Sequence, residues 1–315
     1  MSRKTLFKII KYTIILLIFF FILKYFYENR YTLNYNQLHF NFMYLGISVL
    51  IYVAHIFINA AVWYIITKQN NCNIPFFETI KMRIYSDFGK YIPGKIVAYG
   101  ILFYSYNQKS ISKKRIAVCS FQELIMGTLA AIVIALVSIY FSDIALLRKY
   151  YAAFLVMAVV CLIVIYPPVL EFTTNKIMKL LRREPISIIS NYAQLVLVLL
   201  LFVISWLVFG LGFYFFINSF YTYSISYYFF TTGAFAIAGL LGFVAIFAPA
   251  GLGVREGALV FILGYVFTRA ISVIISLLSR VWMIFCELIF FLCIFVLSYC
   301  IKKPYLKQST PNEKL

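Results

Sequence analysis

The sequence predicts an all-α polytopic membrane helix bundle, about 6–8 spans of some 20 apolar residues each. Two of its hairpins are broken by proline and glycine, and both termini are expected in the cytoplasm. Three observations carry this prediction. The 315 residues are 64 % hydrophobic and 12 % charged, whereas a soluble domain is about half apolar and about a quarter charged. The apolar residues gather into runs of membrane-crossing length. The net charge of +18 sits at the flanks of those runs, where topology and anionic headgroups call for it. No polar segment between the runs is long enough to build a core of its own. The chain therefore reads as one integral membrane domain over residues 1–315, with a membrane region at 9–301 and a polar cytoplasmic tail at 302–315.

The first span is expected at 9–27. Arg3, Lys4, Lys8 and Lys11 precede an apolar run that continues to Phe26. That start resembles a signal peptide, but no small-residue cleavage site follows it, so an uncleaved span is expected. Further spans are expected at 42–67, 116–141, 151–170, 192–217, 228–248 and 270–301, with apolar but interrupted segments at 84–106 and 252–267. Basic residues at Lys68, Lys81, Arg83, Lys109, Lys113, Lys114 and Arg115 fall on the cytoplasmic side, as do Lys176, Lys179, Arg182, Arg183 and the lysines of the tail. The weakly charged segments 28–41 and 218–227 face out. Arg148 and Lys149 are the exception to this count.

Segment 84–106 starts and ends among cytoplasmic lysines, so it is expected to enter and return as a hairpin. Segment 228–268 fits either two spans, the second short, or a hairpin entering from outside and turning at Pro249–Gly253. Two hairpins of opposite orientation are what inverted repeats give. Residues 171–190 place Ile177, Leu180 and Leu181 against Lys176, Lys179, Arg182 and Arg183. This fits an amphipathic helix on an anionic leaflet and equally a basic loop.

Net charge in a soluble chain would raise nucleic acid as a partner. Here no aromatic-basic module stands on a polar scaffold, so none is expected. Cys72, Cys119, Cys161, Cys286, Cys293 and Cys300 are scattered, mostly in apolar segments, and read as packing residues. Histidine occurs only at His39 and His55, which leaves no metal triad. There is no nucleophile elbow, phosphate-binding glycine loop or zinc-protease motif, and the outward segments offer few carboxylates. No cofactor, no metal and no catalytic residue is expected.

Three constellations remain as candidate sites. The run Ala248–Gly257 interrupts two apolar stretches with Pro249, Gly251, Gly253 and Gly257 beside Arg255 and Glu256. Lipid supplies no partners to a broken backbone, so such a break must be buried in protein or line a wet cavity. A helix starting after Gly253 would aim unpaired N–H groups at the turn, and Arg255 could grip a phosphate in two places. Glu256 would hold Arg255 or titrate. The run also fits a structural Arg–Glu turn or a loop at the membrane surface. The second constellation is Lys90, Pro93, Gly94 and Lys95, which fits a phosphate cradle on the cytoplasmic side or a solvated turn. The third is charge within spans: Glu123, Arg280 and Glu287. Each needs a partner on another helix or a watery cavity; Glu123–Arg280 and Arg255–Glu287 are conceivable pairs.

Taken in order, Ile92-Pro93-Gly94-Lys95, Tyr99-Gly100, Phe121-Gln122-Glu123, the run Pro249 to Glu256 and Ser279-Arg280 resemble the lysylphosphatidylglycerol synthase transmembrane-region family of flippase-like proteins. The Gly-Leu-Gly-Val-Arg-Glu run is the specific part. The resemblance implies a bundle in a bacterial or archaeal cytoplasmic membrane. That bundle would translocate or present an anionic phospholipid or a polyprenyl-linked glycan intermediate. Arg255, Gly251, Gly253, Lys90, Lys95, Pro93 and Gly94 would sit at the headgroup, with Glu256, Glu123, Arg280 and Glu287 as charge partners. About 14 residues follow the last span, so a stand-alone member without the synthase domain is expected. The alternatives are a non-transporting scaffold for an envelope-biosynthesis enzyme and, further off, a lipid-linked transferase.

Overall fold

A computed structural model describes residues 39–89, 96–141, 190–245 and 253–307, together with Gly251 and scattered positions between 152 and 185. The span expected at 9–27 lies outside these residues, and the one at 151–170 is described at 11 of its 20 positions. The described residues form helices and contain no strand. In chain order they are α1 (Phe42–Gln69), α2 (Phe76–Phe88), α3 (Ile96–Asn107), α4 (Lys113–Phe141), α5 (Pro167–Leu180), α6 (Tyr192–Asn218), α7 (Tyr228–Val244), α8 (Val254–Leu263) and α9 (Arg269–Lys307). A short 3-10 turn, Ile225–Tyr227, leads into α7.

Among the described residues, five segments are long and apolar enough to cross a bilayer: α1, α4, α6, Ile225–Val244 and the Arg269–Tyr299 part of α9. Their outward faces carry bulky apolar side chains. On α9, Val281, Phe285, Leu288, Leu292, Phe295 and Val296 are all exposed. In water such a stripe would be an aggregation liability; against acyl chains it is solvated. The chain is a multi-pass membrane protein.

Local chemistry sets the helix starts. Asn41 caps α1 by accepting from Tyr44 N–H at 3.1 Å. Asn191 and Gln194 close a reciprocal box at the start of α6, at 2.9 and 3.0 Å. Each satisfies donors that the first turn leaves unpaired. Pro75 precedes α2, so the first hairpin begins at Phe76 rather than at the expected 84. The amphipathic segment expected at 171–190 is helical from Pro167 to Leu180, and 181–184 and 186–189 lie outside the described residues. The last helix runs six residues past the expected end at 301, to Lys307.

Helices α1 and α6 lie antiparallel. His39 N–H donates to Phe220 O (3.1 Å) and Asn41 N–H to Ser219 O (2.8 Å), so the entry to α1 runs beside the exit of α6. We call this the tyrosine-rich end. At the opposite, basic end, Arg115 donates to Asn71 O (3.2 Å) and Lys109 pairs with Glu78 (2.7 Å). Close approach of the helices depends on small residues, as expected where lipid provides no hydrophobic drive. A Cβ at Gly233 of α7 would sit 2.1 Å from Ser138 of α4, and one at Gly210 of α6 would sit 2.2 Å from Thr232 of α7. One buried cluster near the basic end gathers Trp63, Ile66, Tyr106, Met126 and Leu199. A second gathers Tyr52, Phe213, Phe216, Phe235, Leu263 and Trp282.

Both broken segments are helical hairpins. Helices α2 and α3 are about 20 and 18 Å long at 1.5 Å per residue, short of a hydrocarbon core of about 30 Å. They pack against each other, with Ser86 Oγ donating to Ala98 O at 2.7 Å, and both open at the basic end. For 228–268 both readings of the sequence bring the chain back to the end from which it entered, and the structure shows that return. Helix α8, about 15 Å long, returns to the end from which α7 started: Phe267 lies 5.8 Å from Tyr221 and 5.5 Å from Tyr223, ring to ring. Tyr223 thereby closes the mouth of this second hairpin, and burial pushes its hydroxyl pKa up. The two hairpins therefore enter from opposite ends.

Candidate functional site

The tip of the second hairpin is built on glycine. Gly251 and Gly253 have φ of +69° and +84°, the left-handed region open to glycine without penalty. A Cβ at Gly251 would stand 2.7 Å from Gly242 O, so the returning chain passes directly over α7. Helix α8 then starts at Val254, as expected from the break. Glu256 is 8 % exposed and doubly committed. Its Oε2 accepts from Gly253 N–H at 2.8 Å, and its Oε1 accepts from Arg280 Nη1 of α9 at 2.6 Å. Ser276 Oγ of α9 donates to Glu256 O at 3.2 Å. One carboxylate thus caps α8 and fastens it to α9.

This arrangement corrects the expected pairings. Glu256 does not hold Arg255, and Arg280 pairs with Glu256 rather than with Glu123. Arg255 makes no ion pair with Glu287, which reaches it only through its longer-range field. The reason is helix azimuth. Adjacent residues on α8 point about 100° apart, so when Glu256 faces α9, Arg255 faces α7. Its guanidinium carbon lies 4.7 Å from the Phe235 ring centroid and its Nη2 3.3 Å from Met283 Sδ. Its Nε is buried without a hydrogen-bond partner. A thioether and an aromatic face are weak company for five donors.

Glu123 belongs to the other hairpin. Arg83 of α2 donates from Nη1 to Glu123 Oε2 at 2.7 Å and from Nε to Asp87 at 3.3 Å. Its guanidinium carbon lies 5.1 Å from the Trp63 ring centroid of α1. This ion pair stands on the wall of a cavity of about 370 Å³. Tyr99 of α3 and Ser120 and Thr128 of α4 share that wall, and Ala236, Gly239 and Leu240 of α7 form the opposite side. Both hairpins therefore line one open pocket, which we call the chamber. Ser120 Oγ is buried and has no hydrogen-bond partner. The small residues of α7 leave the space that larger side chains would fill.

Arg255 stands beside this chamber, not in its lining. Phe235 and Gly242, which meet Arg255, and Ala236, Gly239 and Phe243, which face the chamber, lie about a quarter-turn apart on α7 at 3.6 residues per turn. Lys90, Pro93, Gly94 and Lys95 fall outside the described residues. The structure thus brings Gly251, Gly253, Arg255, Glu256 and Arg280 together at one hairpin tip and puts Glu123 in the chamber. Arg83 and Ser120 escaped sequence reasoning. Arg83 reads as one more cytoplasmic flanking charge, and only its i,i+4 relation to Asp87 hints that it lies on a helix entering the membrane. A lone serine in an apolar run carries no signal.

No curated protein and no solved structure matches this chain. A family model described as the lysylphosphatidylglycerol synthase TM region matches residues 8–290, which takes in both hairpins, the chamber and the Arg280–Glu256 pair. The chain belongs to that family of lipid-associated, multi-pass membrane proteins.

Proposed function

We propose that this protein carries or presents the headgroup of an anionic phospholipid, or of a lipid-linked glycan intermediate, across the bilayer, and that it catalyses no covalent step. The observation that supports this reading is the shared open pocket: two hairpins that start from opposite ends line it, and it carries a cation, a carboxylate and an unsatisfied hydroxyl. A bare phosphate in hydrocarbon is prohibitively unstable without partners. The chamber offers it Arg83, Tyr99 and Ser120 in place of water. A volume of about 370 Å³ lies in the range of small-ligand pockets, about 300–1,000 Å³, which suits a headgroup whose acyl or prenyl tails stay in lipid. Phosphate at Arg83 competes with Glu123 for the guanidinium, so the ion pair acts as a latch that opens to the substrate. Arg255, with donors unspent around the flank of α7, offers a second station nearer the tyrosine-rich end. The chain has no nucleotide-binding motif, so movement would run downhill or on an ion gradient.

The test is loss of leaflet asymmetry in proteoliposomes, with fluorescent phosphatidylglycerol against phosphatidylcholine. Wild type should accelerate exchange of the anionic lipid. Arg83→Ala and Arg255→Ala should each slow it by at least about tenfold, the loss of one hydrogen bond to a charged group. Equal exchange by all three proteins would refute the assignment of the headgroup path. Absence of exchange by folded wild type for either lipid or for a polyprenyl-linked glycan would favour the scaffold reading.

A further inference from the structure

A second pocket, of about 610 Å³, opens at the basic end between the last turn of α1 and the first turn of α6. Tyr64, Lys68, Gln69, Asn71, Asn191 and Gln194 provide its polar lining, and none of its lining residues is acidic. The hydrogen bonds around it run in one sense. Gln69 Oε1 accepts from Gln122 Nε2 and from Ser190 Oγ, both at 3.4 Å. Asn191 Oδ1 accepts from Gln194 N–H at 2.9 Å, and Gln194 Oε1 accepts from Asn191 N–H at 3.0 Å. Three amide oxygens are thus consumed inside the protein, and Gln69 is anchored further by Gln122, itself bonded to Asn70 at 2.9 Å. An amide whose oxygen is spoken for presents its NH2. The Lys68 ammonium, 5.8 Å from the Tyr64 ring centroid, adds three donors. Asn71 adds another amide, held in place by a left-handed backbone with φ +57°.

We infer that this pocket is a phosphate-ester site at the basic face of the membrane, separate from the chamber. A pocket of donors with its acceptors turned inward selects an acceptor-only anion and discriminates against ammonium or amine groups. A lysine and several amides suit a phosphate, whose oxygens take many hydrogen bonds from different directions, better than a planar carboxylate, which arginine would grip in two places. The phosphate has two possible sources, a lipid headgroup in the adjoining leaflet and a soluble phosphate ester.

The experiment uses the full chain in phosphatidylcholine nanodiscs and measures binding of a fluorescent short-chain phosphatidylglycerol, with inorganic phosphate as competitor. The key variant is Lys68→Gln combined with Asn71→Gly. Glycine keeps the left-handed backbone at no steric cost, and Lys68 is exposed, so the fold is preserved. The variant should bind at least about tenfold more weakly, and Lys68→Arg should bind as wild type does. Phosphatidylglycerol binding that resists inorganic phosphate identifies a lipid headgroup; displacement by inorganic phosphate identifies a soluble ester. Affinity unchanged in the double variant, or no preference for phosphatidylglycerol over phosphatidylcholine, overturns the inference. In an Arg83→Ala background, which weakens the other pocket, the Lys68→Gln/Asn71→Gly change should still weaken the remaining binding by about tenfold, so failure of the transport reading and failure of this site are told apart.

Discussion

Glu256 is the residue whose replacement tests the architecture of the second hairpin most sharply. Its carboxylate makes two bonds that differ in kind: a charge-assisted one from Arg280 at 2.6 Å and an N-terminal one from Gly253 N–H at 2.8 Å. Glu256→Gln keeps the shape and an oxygen for Gly253 but removes the charge opposite Arg280. A hydrogen bond to a charged group contributes about 1.5–3 kcal/mol. Removing one partner of a buried pair costs about 3–5 kcal/mol, because the surviving charge is stranded. Arg280 keeps 22 % of its side chain exposed, which sets the expectation for Glu256→Gln at the lower end, about 3 kcal/mol. Arg255 worsens the outcome, since it already repels Arg280. Glu256→Ala additionally frees Gly253 N–H and should lose about 1 kcal/mol more, as a lost cap does. The assay is unfolding of the full chain in mixed micelles by SDS titration, followed through helix content. A double-mutant cycle with Arg280→Gln isolates the pair and should return a coupling of about 2 kcal/mol, within the range for residues in contact. A loss below about 1 kcal/mol with additive single effects would show that the α8–α9 fastening described here is wrong. The same cycle on Glu123 and Arg280, the pair suggested by sequence, should return no coupling.

Two further substitutions probe the close contacts. Gly233→Ala places a Cβ 2.1 Å from Ser138 and forces α7 off α4; the loss should be about 1–3 kcal/mol, as for other overpacked sites. Adding Ser138→Gly should restore most of it, and no restoration would place the contact elsewhere. Gly251→Ala meets Gly242 O at 2.7 Å in a left-handed backbone. It should lower stability by more than the roughly 1–2 kcal/mol of the backbone conformation alone and abolish lipid exchange. Wild-type stability in that variant would mean that the tip is not packed against α7.

Much of the fold is legible in the sequence because apolar run length and basic flanks are local properties. The start of α8 after Gly253 follows from where helix breakers fall, and the hairpin over 84–106 from the lysines at both its ends. What stayed open depended on azimuth and on long-range contact. The choice between two spans and a hairpin at 228–268 turns on depth, since both bring Phe267 back to Tyr221 and Tyr223, and no periodicity encodes depth. The charge pairs stayed open for the same reason. Arg255 and Glu256 are neighbours in sequence but face different helices, and Glu123 finds its cation on a segment that the charge count assigns to the membrane surface. The rule that places lysine and arginine in the cytoplasm does not separate a surface flank from a helix that starts there and dips inward, and Arg83 lies on such a helix.

The depths of the hairpins explain why the chamber sits where it does. Arg83 is seven residues into α2, about 10 Å from the basic end at 1.5 Å per residue. Leu240 is twelve residues into α7, about 18 Å from the tyrosine-rich end. In a hydrocarbon core of about 30 Å these two positions fall at nearly the same level. Helices of about 20 and 26 Å, inserted from opposite ends, overlap rather than meet tip to tip. The overlap puts the wall of one hairpin beside the wall of the other. There the small side chains of α7, Ala236 and Gly239, stand across from the polar wall that carries Arg83 and Glu123, and a void results. A single pair of full-length spans would close that void with side chains along its whole length. Two partial ones leave a polar pocket in the middle of the membrane while each retains apolar packing toward its own end. Lengthening α2 by one turn before Arg83 would move the cation about 5 Å deeper and out of register with Glu123. Lipid exchange should fall even though every charged residue remains, whereas exchange at the wild-type rate would mean that the chamber does not lie on the headgroup path.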